Sequence, residues 1–278
     1  MENSSEREKG TVEINGVPFY YEIDGIGSPV IWVHAGIADH RMWDAQFELF
    51  RHGYKVLRYD LRGYGLTPKG EGPFSHMDDL KKLVEFFGLE KVALVGCSMG
   101  GRTIIDYALE NPGKVAGLVT VCAGLGGFKD NTTITPEMEK LWQEVEAAEA
   151  SGDYDKEVEL GLKIWVDGPR APEMVRPGVR EKVREMSLIA AKNPPKPGEE
   201  QYPANPAAGR LGEIKVPALV VIGELDNPVI QGIGDQLATD IPNARKVVIP
   251  NANHLPNMEE PEQFNREVML FLGSLGKF

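Results

Sequence analysis

The stretch Val92-Ala93-Leu94-Val95-Gly96-Cys97-Ser98-Met99-Gly100-Gly101 decides the fold of this chain. Its first four residues form a short apolar run, which is typical of a strand buried on both faces of a sheet. Residues 98–109 have the apolar spacing of a helix, so the stretch predicts a strand, a sharp turn and a helix. The turn contains the pattern Gly-x-Ser-x-Gly, which places Ser98 at the end of the strand.

This turn gives Ser98 the surroundings of a nucleophile. Side chains at positions 96 and 100 would clash in so tight a turn, and the serine itself is expected to have strained backbone angles. The strain lifts the hydroxyl above the sheet, beside free helix amides that favour a developing negative charge. A glycine-rich turn with an incidental serine is the alternative, but the position and the flanking residues both fit the catalytic pattern.

Strand-like and helix-like segments alternate through most of the chain. The other predicted strands are residues 17–23, 30–33, 56–59, 115–121, 218–222 and 246–249. Helical spacing recurs in residues 77–87 and 261–272. Alternation of this kind predicts an α/β fold, in which a mostly parallel sheet has helices on both faces.

Residues 126–210 interrupt this alternation, because they contain no convincing strand. Helices are predicted after Thr135-Pro136-Glu137, over 153–166 and over 179–191, before a proline-rich connector at 193–206. The simplest domain organisation is a core of residues 1–125 and 211–278, with a helical cap inserted at 126–210.

With its strand-turn-helix motif in this setting, the chain resembles a serine α/β-hydrolase of the cap-bearing, carboxylesterase-like type over residues 19–272. The resemblance implies the α/β-hydrolase fold, with a mostly parallel sheet of about eight strands and a helical cap. In that family a nucleophile follows the fifth strand, an acid follows a later strand and a histidine follows the last. That order implies Ser98, Asp226 and His254 as the catalytic residues.

The acid has local alternatives. Asp226 follows the predicted strand 218–222, at the sheet edge from which a carboxylate could reach a histidine. Glu224 is two residues earlier and is its rival, and a turn-initiating aspartate before Asn-Pro is the structural alternative. Some relatives carry the acid after the sixth strand, but residues 122–126 here contain no carboxylate.

The histidine is better defined. His254 lies between the last predicted strand and the last helix, although an Asn pair stands nearby where the family more often has glycines. Relatives use a histidine at the position of His34 to hold a loop. The remaining histidines are expected to be solvated: His40, His52 and His76.

The resemblance also implies an oxyanion hole of two backbone amides. One is that of Met99, the residue after the nucleophile, and the other comes from the loop His34-Ala35-Gly36-Ile37. Ala35 stands where relatives usually have glycine, so the second donor is Gly36 or Ile37, with Gly36 favoured.

Other residues are candidates for specificity or packing. An apolar substrate pocket is predicted from four side chains: Phe128, Trp142, Trp165 and Leu255. The stretch 60–65, Asp-Leu-Arg-Gly-Tyr-Gly, predicts a buried ion pair and a tight turn. Cys97 is expected to fill the core rather than to act as a second nucleophile.

Composition excludes several classes of function. The 278 residues include 30 Lys and Arg against 42 Asp and Glu, and the net charge of -12 disfavours nucleic acid as a partner. Two cysteines are too few for a disulfide framework or a cysteine-built metal site. Without an apolar run long enough for a signal peptide or a membrane span, we expect a cytoplasmic protein with no membrane partner.

Together these features predict an esterase that works by a Ser-His-Asp acyl-enzyme mechanism on small to medium acyl groups. The expected partner is a small-molecule ester, no metal or organic cofactor is required, and the protein is expected to be a monomer or homodimer. The same triad fits an enol-lactone hydrolase or a carbon-carbon bond hydrolase, and also an aminopeptidase, a perhydrolase or an acyltransferase. A hydrolase-like small-molecule receptor with slow turnover is a further alternative.

Overall fold

A computed structural model describes residues 7–129, 135–196 and 199–278. Its centre is one eight-stranded sheet with the order β1-β2-β4-β3-β5-β6-β7-β8. The strands are β1 (Glu8–Ile14), β2 (Val17–Asp24), β3 (Pro29–Val33), β4 (Lys55–Tyr59), β5 (Val92–Cys97), β6 (Val115–Val121), β7 (Ala218–Gly223) and β8 (Ala244–Ile249). Only the β1–β2 and β2–β4 pairs are antiparallel, which confirms the predicted α/β fold with a mostly parallel sheet.

Helices cover both faces of the sheet. The core helices are α1 (Asp44–Phe50), α2 (His76–Phe86), α3 (Met99–Glu110), α7 (Pro228–Asp240), α8 (Pro256–Glu259) and α9 (Pro261–Ser274). Buried residues of α2, α3 and α7 form one apolar layer, and those of α1 and α9 form the other. Successive residues of β3 alternate between the two layers, because side chains along a strand point to opposite faces.

The parallel strands end together. The last paired positions include Val33 with Gly96, Cys97 with Val121, and Gly223 with Ile249. The loops that follow β3, β5, β6, β7 and β8 therefore leave the sheet at the same edge, where sites in open α/β sheets are built.

Three further helices lie between β6 and β7: α4 (Pro136–Ser151), α5 (Tyr154–Leu162) and α6 (Val179–Lys192). The Thr135 hydroxyl accepts a hydrogen bond from the amide of Met138, and α4 ends at Gly152 with φ of 71°. The helix predicted over 153–166 is α5 followed by a π-helical turn, Lys163–Asp167. Within the described residues of 126–210, the β pairing found is one contact between Phe74 and Glu200. That no strand interrupts these helices agrees with the predicted cap, whose exact bounds stay a prediction.

Arg62, in the stretch 60–65, forms a buried ion pair with Asp79 of α2 and not with Asp60. Arg62 Nε lies 2.7 Å from Asp79 Oδ2 of α2, and both side chains are buried. Asp60 instead accepts hydrogen bonds from His40 Nδ1 at 2.7 Å and from the amides of His40 and Leu66. These bonds hold the loop after β3 against the loop after β4.

Two of the three histidines that were expected to be solvated are buried, so that prediction is wrong for His40 and His76. His40 contacts Asp60, and its ring packs at a tilt against the ring of Tyr20, with 4.8 Å between the ring centroids. His76 packs against Phe74 at 5.0 Å, and burial lowers its pKa to about 3. His52 is exposed.

Replacing Arg62 by methionine should lower the free energy of unfolding by about 3–5 kcal/mol, because the buried Asp79 charge loses its cation and keeps the hydrogen bond from the Asn15 side-chain amide. Urea denaturation measures the change. Lys82→Met is the matched control, since its ion pair with Glu85 is exposed and should contribute far less to stability. Equal losses in the two variants would contradict this role of the Arg62 ion pair.

Candidate active site

The turn between β5 and α3 has the strained geometry that the sequence predicts. Ser98 has φ of 54° and ψ of -113°, a backbone conformation that residues other than glycine rarely adopt. Its amide donates to Val121 O at 2.9 Å, and its carbonyl accepts from the amide of Gly124 at 2.9 Å. A Cβ atom at Gly96 would overlap the backbone of Gly100, so glycine is needed for the turn to close.

This turn leaves Ser98 half-buried at the sheet edge, directly before the first residue of α3. Met99 is that first residue, so its amide has no acceptor within the helix. The hydroxyl thus lies where a helix N-terminus favours negative charge.

Asp226 and His254 meet at the same edge. His254 Nδ1 lies 2.7 Å from Asp226 Oδ2, and both side chains are buried. Asp226 also accepts the amide of Asn227 at 2.8 Å, which fixes the carboxylate. With Nδ1 donating to the carboxylate, Nε2 is the nitrogen left to act as a base.

Glu224, the rival acid, does not contact the histidine. It is exposed, and its Oε2 accepts the amide of Asn251 at 3.0 Å. Asp226 is therefore the carboxylate that the fold places against His254.

Two buried cysteines lie between these loops. The Cys97 thiol lies 3.6 Å from the carbonyl oxygen of His254, so the residue before Ser98 contacts the histidine loop directly. Cys122 Sγ accepts the amide of Gly223 at 3.4 Å, beside Asp226. Burial raises the pKa of both thiols well above the usual value, so they stay protonated.

Among the described residues no hydrogen bond joins the Ser98 hydroxyl to the His254 ring. Such bonds are often long before substrate binds and shorten only in the complex. Contact between the two loops is provided by Cys97.

The loop after β3 brings amides to the nucleophile. His34 donates from Nδ1 to Ala35 O at 2.8 Å and accepts the Leu61 amide at Nε2 at 2.9 Å. Burial lowers the pKa of His34, which keeps the ring neutral so that Nε2 can accept. His34 thus holds this loop, as the resemblance implies.

Gly36 lies beside Met99, since a Cβ atom on Gly36 would be 3.8 Å from Met99 Cβ. In the part of the chain that the structure describes, neither the Gly36 amide nor the Ile37 amide donates a hydrogen bond. Both amides remain candidates for the second oxyanion donor, and Gly36 is the residue that lies next to Met99, the first donor.

The predicted substrate-binding side chains divide into two groups. The Trp165 ring lies 4.3 Å from the His254 ring, and Trp142 packs edge-on against Trp165 at 5.5 Å. Phe128 is half-buried and packs over Gly232 of α7, while Leu255 is fully buried in the core. Trp142 and Trp165 are therefore the pair that the structure brings to the histidine.

Sequence reasoning missed two residues near the site. The Tyr64 hydroxyl lies 3.9 Å from Met99 Sδ, and its ring packs edge-on against His34 at 5.3 Å. Glu259 accepts hydrogen bonds from the amides on both sides of His254. An acid five residues beyond a candidate histidine was the available signal for Glu259. Tyr64 lies in the stretch 60–65, for which the sequence predicts a turn and an ion pair but no place at the site.

Across the described residues no helix is both long enough and apolar enough to cross a bilayer.

Known proteins share this architecture. A 2-hydroxy-6-oxononadienedioate/2-hydroxy-6-oxononatrienedioate hydrolase of Paraburkholderia phymatum is 29% identical over 230 residues, covering 80% of this chain and 77% of that protein. A pimeloyl-[acyl-carrier protein] methyl ester esterase of Pectobacterium atrosepticum is 24% identical, covering 91% and 97%.

Solved structures give the same result. A thermophilic esterase from Thermogutta terrifontis is 27% identical with a TM-score of 0.72, covering 98% of this chain and 99% of that one. The enol-lactonase from Burkholderia xenovorans LB400 has a TM-score of 0.77 at 23% identity, covering 95% and 100%, which shows a shared fold. A family model described as the alpha/beta hydrolase fold matches residues 28–261. Since that match spans most of the chain and confirms the resemblance seen in the sequence, the chain belongs to the alpha/beta hydrolase fold family.

Proposed function

We propose that this hydrolase cleaves carboxylic esters of small to medium acyl groups through a Ser98-His254-Asp226 triad. The observation that carries the proposal is the 2.7 Å hydrogen bond from His254 to Asp226, at the sheet edge where Ser98 has its strained backbone. A serine followed by a free helix amide, with an oriented histidine on the neighbouring loop, is the arrangement that acyl transfer needs.

In the first half-reaction His254 Nε2 takes the proton of Ser98 as the serine oxygen attacks the ester carbonyl. Asp226 holds the imidazole in the tautomer that leaves Nε2 free and stabilises the imidazolium that forms. The Met99 amide and the Gly36 amide stabilise the oxyanion of the tetrahedral intermediate. His254 then gives its proton to the leaving alcohol, and the acyl group stays on Ser98.

In the second half-reaction a water molecule takes the place of the alcohol. His254 accepts a proton from the water as it attacks the acyl-enzyme, and returns the proton to Ser98 Oγ as the acid leaves. Every proton transfer in this cycle uses His254, so no other ionisable side chain is required.

Charge around the site favours an uncharged ester over a dianionic substrate. Arg102, one turn beyond Ser98 on α3, is neutralised by Glu200 at 2.6 Å and stacks on Tyr202. The chain as a whole carries a net charge of -12, which repels anions. The relatives that are named as esterases support the same choice.

A second candidate is hydrolysis of a carbon-carbon bond. The observation that favours it is the similarity, at 29% identity, to hydrolases named for a dienedioate substrate. Those substrates carry two carboxylates, as the name states, so this candidate requires cations at the site. The cavity beside Asp226 offers Lys140 and Lys163, against Glu137 and Glu144.

We expect the purified protein to hydrolyse p-nitrophenyl acetate and butyrate over many turnovers, with kcat/KM falling as the acyl chain lengthens. A 2-hydroxy-6-oxo-dienedioate, followed by its absorbance, should be cleaved with a kcat/KM at least about 100-fold lower than that of the esters. Discrimination of this size is expected when the substrate carboxylates find no cationic partner. The Ser98→Ala variant, purified in parallel, corrects for contaminating esterases.

The outcomes separate the candidates. Faster cleavage of the dienedioate would replace the ester proposal by carbon-carbon hydrolysis. One slow cycle with retained product would indicate a receptor. Failure to hydrolyse any ester, while Ser98 still reacts with a phosphonate, would remove the ester assignment and leave the nucleophile in place.

A further inference from the structure

Glu259 binds the backbone on both sides of His254. Its Oε2 accepts the amide of Asn253 at 3.0 Å, and its Oε1 accepts the amide of Leu255 at 3.1 Å. The carboxylate belongs to α8 and is only 2% exposed. One buried side chain therefore holds the amides of the residues immediately before and after the histidine.

Arg170 connects this carboxylate to the segment that follows α5. Its Nη2 donates to Glu259 Oε2 at 2.6 Å, and its Nη1 donates to Asn251 O at 2.6 Å, just before the histidine loop. The same guanidinium also donates to the carbonyls of Val166 and Asp167, at 2.6 and 3.0 Å. Arg170 is thus bonded both to its own segment and to the histidine loop.

The segment that Arg170 anchors also contacts the histidine ring. Trp165, five residues earlier, lies 4.3 Å from the ring of His254. Asn253 adds a further link, since its Nδ2 donates to Ile164 O at 3.1 Å. Glu259 therefore holds the backbone around His254, and the ring of His254 contacts the same segment to which Arg170 bonds Glu259.

Stability alone is a weak reason for this arrangement. A buried ion pair often contributes no more than apolar residues of similar volume, because both charges lose their hydration. Burial raises the pKa of Glu259, although Arg170 and the two amides act in the opposite direction. What the pair supplies, and what an apolar pair could not, is a fixed backbone geometry at position 254.

We propose that Glu259 and Arg170 are positioning residues. They hold the His254 ring where it can reach Ser98, and they link the histidine loop to the cap segment that contains Trp165. The proposal rests on the proposed function of the triad. Since a displacement of about 1 Å can cost about 100-fold in rate, loss of either residue should act on the chemical step rather than on substrate affinity.

The first test is steady-state kinetics on p-nitrophenyl butyrate. Glu259→Gln keeps the shape of the side chain but can accept only one of the two amides, because its NH2 group is a donor. Arg170→Lys keeps the charge but loses the forked geometry. Each should lower kcat by about 10–100-fold with KM changed by less than about threefold. Glu259→Gln combined with Arg170→Lys should lower kcat by less than the product of the single effects, since the residues share one network.

Arg176 and Glu262 provide a matched control. They form an ion pair at 3.1 Å that also joins the segment after α5 to the C-terminal part of the chain, but it is exposed and makes no contact with the histidine loop. Arg176→Lys and Glu262→Gln should leave kcat unchanged. Urea denaturation of all variants separates loss of rate from loss of folded protein.

The proton between His254 and Asp226 gives a readout that does not depend on turnover. Its downfield NMR resonance should shift or broaden in Glu259→Gln and in Arg170→Lys, and stay unchanged in the controls. A folded Glu259→Gln variant with wild-type kcat and an unchanged resonance would overturn the proposal. If the wild-type protein hydrolyses no ester, the proposed function fails, while the resonance still reports whether Glu259 positions the ring.

Discussion

Ser98→Ala should lower kcat for ester hydrolysis by at least about 10⁴-fold, because removal of the proposed nucleophile leaves only the oxyanion hole and substrate binding. The variant should fold, since the φ of 54° is no more strained for alanine than for serine and alanine occupies less space. Turnover of p-nitrophenyl butyrate and the urea midpoint are the two measurements.

Ser274→Ala is the control for this variant. The Ser274 hydroxyl donates to the carbonyl of Phe271 at the end of α9, away from the sheet edge that carries the site. It should retain the wild-type rate and leave a fluorophosphonate probe fully reactive, whereas Ser98→Ala should not be labelled. Wild-type turnover or labelling in Ser98→Ala would count against the mechanism as a whole.

Asp226→Asn should lower kcat by about 10⁴-fold with little loss of structure, because an amide facing Nδ1 favours the tautomer in which Nε2 already holds a proton. The base is then absent even though the geometry is nearly unchanged. Steady-state kinetics on the same ester check the loss, and circular dichroism checks the fold.

Glu224→Gln is the control for the acid, since the two residues are two positions apart and only Asp226 contacts His254. It should change kcat by less than about twofold, as expected for an exposed side chain outside the hydrogen-bonded pair. A large loss in Glu224→Gln with a mild one in Asp226→Asn would reverse the assignment of the acid.

The sequence predicts seven of the eight strands, including β8 at one edge of the sheet, and misses β1 at the other edge. β5 and β6 are continuous apolar runs, so their burial is visible locally. β1 is missed because its residues, Glu-Lys-Gly-Thr-Val-Glu-Ile, carry charges and pair on one side only. α7 is missed because Gly232 and Gly234 weaken its helical pattern, although Gly234 allows close packing against Ile222.

The candidate site also divides into residues that the sequence predicts and residues that only the structure reveals. Ser98 and its glycines are contiguous, so their geometry follows from local sterics. Asp226 and His254 come from the order of the family, and the structure adds the contact between them. Arg170 and Glu259 are 89 positions apart, and their pairing depends on how the segment after α5 lies on the sheet edge, which periodicity does not encode.

The convergence of the parallel strands at one edge has a consequence for how activity arises during folding. The loops after β3, β5, β7 and β8 come from both halves of the chain, and contacts between such distant segments form late because loop closure is costly. A partly folded chain can therefore have much of its secondary structure without any of its chemistry. Activity therefore reports the completed sheet.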